Sequence, residues 1–248
     1  MANGIPQLET RNWNFKRNVQ ITGELRKSTD RYVLDEYFRQ LPQANASFAA
    51  GINADFELLG TNAANNDVTF ATTIAGIQLE TNTTANDQDI IAPHLTSGQS
   101  AWTGIKWGTE NQTNWSCVIR TGASVASITI WAGLKLTNTS VIATDDDQVL
   151  FRFAAASDTY WNYIYSIGGS DTATASTVTV AASTTYKLRI EIDSSRIATF
   201  YINDTVVGKS TALTNDVDFI PYVGVQTTTT AAKYLNVCQE QISRIWFE

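Results

Sequence analysis

Tyr186-Lys-Leu-Arg-Ile-Glu-Ile-Asp193 decides the fold. In an extended chain Tyr186, Leu188, Ile190 and Ile192 fall on one face and Lys187, Arg189, Glu191 and Asp193 on the other, the signature of a half-buried antiparallel strand. Asp193-Ser-Ser-Arg196 supplies a turn, Ile197 to Ile202 alternates again, and Asn203-Asp204 makes a second tight turn into Thr205-Val-Val-Gly208. Two consecutive hairpins are predicted.

Working outward, the chain from Phe56 onward consists of short apolar or alternating runs separated by Asn, Asp, Gly and Thr clusters. Examples are Trp115 to Thr121, Ser127 to Leu136, Gln148 to Ala154, Trp161 to Ile167 and Leu235 to Phe247. Short strands at this spacing predict a sandwich or barrel over residues 49–248. Residues 1–48 have a different pattern. Trp13, Phe15, Val19 and Ile21 lie on one side of an extended segment, which suits either an arm with an apolar edge or an ordinary edge strand. Ser28-Thr29-Asp30 offers helix-capping oxygens, and Val33, Leu34, Tyr37, Phe38 and Leu41 recur at helical intervals up to Pro42, predicting a helix over Thr29 to Gln40. Small polar residues from Gln43 to Ala54 mark the boundary with the body.

At 248 residues with no Pro/Gly/Ser linker, one principal body is expected, large enough for a core without staples. The net charge of -7 argues against general nucleic-acid or anionic-membrane binding. Residues 1–48 hold seven Lys/Arg against five acids, so the first fifth of the chain presents a mildly basic surface beside an acidic remainder. Cys117 and Cys238, in separate strand-like runs, are expected as buried thiols rather than a bridge. Neither an apolar leader after Met1 nor a run of about 18 apolar residues occurs, so no signal peptide or membrane span is expected.

The motifs that could carry chemistry are sparse. Glu191-Ile-Asp193 matches the start of the Glu-x-Asp-x-x-Glu pattern of laminarinase-type glycosidases, but position 196 is Arg, so the second acid required by a retaining mechanism is missing. Asp145-Asp146-Asp147 offers hard oxygens for Ca²⁺, yet no second Asp/Asn cluster can be assigned to it, and a solvated turn is preferred. His94 is the sole histidine, which leaves a catalytic triad or a His-rich metal site without corroboration. No cofactor or metal is expected, and enzyme is the weakest class. Trp161, Tyr163 and Tyr165 share one strand face and could stack on sugar rings, although a sandwich also needs such residues between its sheets.

The order Thr184 to Asp193, Ala198 to Gly208, Phe219-Ile-Pro-Tyr-Val-Gly-Val225 and a closing strand at Ile242 to Phe247 resembles the concanavalin A-like, laminin-G-like jelly roll. The likeness covers about three-quarters of the chain and speaks for fold more than function. Phe56 to Thr61, Asp87 to Pro93, Ala132 to Thr137 and Ala143 to Phe151, with the Thr/Asn/Ala-rich composition, resemble virion structural proteins of tailed bacteriophages of marine or cyanobacterial type. That resemblance implies an external or tail-associated virion component without saying which. The mildly basic anchor against the acidic body favours a non-enzymatic capsid decoration or cement protein on the outer surface of the shell, assembled in the host cytoplasm. Its partner would be the major capsid protein or another virion protein, and it would act as a homo-oligomer, with a trimer in view. Trp13, Phe15, Arg17, Val19, Ile21, Tyr32, Tyr37 and Phe38 would carry attachment and oligomerisation. The alternative is a lectin-like head-fibre or tail-fibre module that recognises host glycans through Trp161, Tyr163 and Tyr165; a polysaccharide hydrolase or lyase ranks third.

Overall fold

The computed structural model describes residues 31–44, 56–93, 107–137 and 145–245. In chain order the strands are Arg31–Glu36 (β1), Gln43–Ala44 (β2), Phe56–Leu59 (β3), Val68–Phe70 (β4), Ile77–Glu80 (β5) and Gln88–Pro93 (β6). Trp107–Gly108 (β7), Asn114–Thr121 (β8), Ile128–Lys135 (β9), Gln148–Ala154 (β10), Tyr160–Ile167 (β11) and Ser170–Thr179 (β12) follow. Thr185–Ile192 (β13), Ile197–Ile202 (β14), Thr205–Ala212 (β15), Asp218–Thr227 (β16) and Tyr234–Ile245 (β17) complete the order.

These strands form two sheets. The eight-stranded sheet runs β15-β14-β13-β8-β17-β5-β4, with β1 also on β17; the nine-stranded sheet runs β12-β11-β10-β9-β16-β6-β3-β2, with β7 on β16. All pairings are antiparallel except the short β2 to β3 contact. The result is a sandwich, one of the two outcomes the strand spacing predicts, in the antiparallel jelly-roll form that the resemblance implies.

The alternation at 186–193 behaves as expected: Tyr186, Leu188, Ile190 and Ile192 are buried against the second sheet. Phe200 on β14 meets Phe151 on β10 edge-to-face at 5.5 Å, and Trp161 meets Tyr186 at 5.5 Å, so aromatic pairs tie the two layers together. The first hairpin is closed by Asp193, whose Oδ1 accepts the amides of Ser195 (2.8 Å) and Ile197 (2.9 Å). In the second, Asn203 and Asp204 both have positive φ (50° and 64°), as a primed hairpin turn requires. Asn203 Oδ1 also accepts the Lys187 amide at 3.0 Å.

The helix expected over Thr29 to Gln40 is not formed in its described part. Residues 31–36 are instead β1, paired with β17 from Arg31 opposite Ile245 to Glu36 opposite Glu240. Val33, Leu34, Tyr37 and Phe38 satisfy a helical period, but Tyr32, Leu34 and Glu36 equally satisfy a strand period, and the open edge of β17 offers six residues of ladder. Phe38 then takes φ 51°, which no helix contains, and turns into the core against Phe56 at 5.5 Å. Residues 31–44 therefore belong to the sheets.

Both cysteines are free thiols, Cys117 buried and Cys238 half-buried. Cys238 occupies a register shift of β17 against β8, between Val237 and Gln239, which takes it off the face that Cys117 shares with Glu240.

Candidate functional site

On β9, Ile128, Ile130, Ala132 and Leu134 point into the core, so Thr129, Trp131, Gly133 and Lys135 point out of the sandwich. Cross-strand partners share a face, and the register therefore assembles the outer surface of the nine-stranded sheet. Trp131 lies between Gly224 of β16 and Arg152 of β10, and Arg152 in turn faces Asn162 of β11. One step along, Gly133 lies between Tyr222 and Leu150; one step further, Lys135 lies between Ile220 and Gln148.

Of the four tryptophans among the described residues, Trp107, Trp115 and Trp161 are buried and Trp131 alone is half-exposed. Two of its outer-face neighbours are glycines, each held to glycine by a close approach of the adjoining strand. A Cβ at Gly224 would stand 2.8 Å from the Ile90 side chain, and one at Gly133 would stand 2.5 Å from the Leu150 backbone. The indole therefore has a half-buried guanidinium beside it and a buried carboxamide beyond. Arg152 is oriented by Asp158, whose Oδ2 lies 3.4 Å from its Nε and also accepts the Ala154 amide at 2.8 Å.

The other end of this face is buried. Lys135 has no exposed side-chain surface; its ammonium lies 3.7 Å from Asp145 and 4.6 Å above the Tyr222 ring. Burial pulls the Lys135 pKa down, against the opposing pull of Asp145, and pushes that of Tyr222 up. Glu57, also on the outer parity of its strand, is buried as well. Gln148 and Ser166 both donate to Asp171 of β12.

The residues singled out from sequence are placed differently. Trp161 is wholly buried, while the half-buried Tyr163 packs on Phe200 at 5.0 Å and the half-buried Tyr165 packs against the same core, so this face of β11 is turned toward the other sheet. Tyr163 also packs against the backbone of Gly208, where a Cβ would run into its ring. Tyr32 packs on Trp107 at 5.6 Å, Phe38 is core, and Tyr37 is exposed with its hydroxyl accepting from Gln239 at 3.2 Å. These three positions are dispersed rather than gathered on one helical stripe. Trp13, Phe15, Arg17, Val19, Ile21 and His94 lie outside the described residues.

Glu191 accepts from Tyr201 (2.8 Å) and Arg189 on the outer face of the other sheet, and Asp193 serves its turn. The run Asp145 to Asp147 does not converge. Asp145 holds Lys135 and Thr137, Asp147 is buried and accepts from Thr214, and no group of three acidic, His or Cys side chains suited to a metal occurs among the described residues. The preferred solvated turn is therefore replaced by one whose acids are largely engaged with the protein.

Trp131 was missed by sequence reading. Its signal was legible in Ile128-Thr-Ile-Trp-Ala-Gly-Leu-Lys135, where tryptophan occupies the outward parity of a strand. What alternation alone does not supply is the identity of the residues facing it across β10 and β16.

No family model and no curated protein matches the chain. Solved structures do. The carbohydrate recognition domain of Emp47p superposes with TM-score 0.57 at 8% identity, covering 86% of this chain and 95% of that one. A β-glucanase of Bacillus licheniformis gives 0.56 at 8% identity over 85% and 97%. A protein of unknown function from Shewanella oneidensis MR-1 gives 0.57 at 13% identity over 87% of both chains. These likenesses establish the concanavalin A-like fold and add nothing to the bacteriophage half of the resemblance. They also correct the expectation of a non-enzymatic protein: a glucanase, an alginate lyase and a glycosyl hydrolase share the fold with recognition domains, so the fold supplies no ground for excluding catalysis.

Proposed function

We propose that this chain binds carbohydrate on the outer face of its nine-stranded sheet, with Trp131 as the stacking platform. The observation that carries this is the row Gly224, Trp131, Arg152, Asn162: one half-exposed indole on the outer face, with the half-buried Arg152 guanidinium beside it and Asn162 buried beyond. The apolar face of a pyranose fits against an indole, while its equatorial hydroxyls need donors and acceptors at the ring edge. Arg152 supplies donors, and Asn162, buried behind it, can support that side. The carbohydrate recognition domain and the polysaccharide-acting enzymes among the structural neighbours support the ligand class.

A glycan array followed by calorimetry on the best hit tests the reading. Trp131→Ala is expected to weaken binding about 10-fold or more, equivalent to about 1.4 kcal/mol, with the melting temperature unchanged because the indole is not core. Undiminished binding by Trp131→Ala, or no hit on neutral and acidic polysaccharides alike, would overturn it.

A further inference from the structure

We propose that two copies of this chain pair through β12, continuing the nine-stranded sheet across a two-fold axis at Ala173. The proposal is independent of the carbohydrate reading. β12 ends the sheet, and among the described residues no strand lies on its far side. The other sheet ends are blunted or charged: β15 carries two register shifts, β4 has three residues and β2 two, and the six-residue β1 on β17 carries Arg31, Asp35 and Glu36. An edge of this kind is ordinarily protected by Lys, Pro or a bulge. In β12 the stretch Ser170-Asp-Thr-Ala-Thr-Ala175 has none of these; it is regularly paired with Ile167 to Asn162 and every residue in it is exposed. The irregularity lies beyond it, where Asn162 faces Ala175 but Tyr160 faces Thr179.

The side-chain pattern selects a second copy as the occupant. A two-fold axis normal to the sheet keeps each face on its own side, so the partner positions must have the same parity. Centred on Ala173, it sets Ala173 against Ala173, Thr172 against Thr174 of the second copy, and Asp171 against Ala175. Small residues meet at the axis and two Thr–Thr pairs flank it, a favourable cross-strand combination. The only charge, Asp171, is already engaged by Ser166 and Gln148, and the two copies of it end about 13 Å apart. A charged or bulky partner strand would find nothing complementary on this edge.

The pairing involves few residues, so a reversible, concentration-dependent dimer is expected. Sedimentation velocity over a concentration series measures it, with far-UV circular dichroism confirming that each variant is folded. Ala173→Lys and Ala173→Glu each place like charges face to face at the axis and should be monomeric where the wild type dimerises. An equimolar mixture of the two should recover the dimer. A wild type monomeric throughout, a dimer indifferent to either substitution, or a mixture that stays monomeric would each overturn the proposal.

Discussion

Glu240 is wholly buried between the sheets, on the face of β17 that carries Ile242, opposite Cys117 on one side and Glu36 on the other. Trp115 Nε1 donates to one of its oxygens at 2.8 Å. Desolvation pushes its pKa up to about 8, with the Trp115 bond acting against that rise and Glu36 adding to it. Asp89, turned inward opposite Val225, is raised to about 8 by desolvation and then by Asp67, Asp87 and Glu80. A carboxyl held more tightly protonated in the folded state than in the unfolded chain favours folding at low pH. Its cost begins as pH passes the unfolded value near 4 and is complete above about 8. Glu240→Gln keeps the donor contact possible and removes the ionisation. It should raise the thermal midpoint at pH 9 by an amount equivalent to a few kcal/mol, and much less at pH 5. Melts at the two pH values check this; equal gains at both would show that packing, not ionisation, is responsible. Asp89→Asn should behave in the same sense.

At the scale of elements, legibility followed local self-sufficiency. The hairpins of β13 to β15 were readable because both their alternation and their turn residues lie within about 25 residues, and the Gln148 to Ala154 strand has the bounds its pattern predicts. β1 was not, because its partner is more than 200 residues away and its apolar residues fit two periods at once. Of β12 only the end, Thr177 to Val180, reads as a strand in the sequence, since an edge strand exposed on both sides carries no alternation to read. The turn at Asn203 offers a test of the readable part. Asn203→Val places a β-branched residue at positive φ and removes the acceptor of the Lys187 amide. A loss of about 1–3 kcal/mol is expected in urea unfolding, whereas Asn203→Gly should recover most of the backbone part.

For the whole molecule, the sandwich depends on side chains that cross the layer. Phe200 touches Phe151 and Tyr163, both from the opposite sheet. Phe200→Ala should cost about 3–5 kcal/mol in the same unfolding experiment, and no comparable loss is expected from Trp131→Ala. That contrast separates the residues that build the body from the one that faces out of it.

Trp131 sits on the fourth strand in from the β12 edge. Across the proposed two-fold, two such platforms would lie on one continuous surface, seven strand spacings or about 34 Å apart measured along the sheet. The pair would act as a ruler for polymer length. A chain long enough to span both platforms gains the effective concentration of the second, whereas a short oligosaccharide meets one platform at a time. Long polymers should therefore bind more tightly than their fragments, and Ala173→Lys should abolish that advantage while leaving the fragment affinity intact.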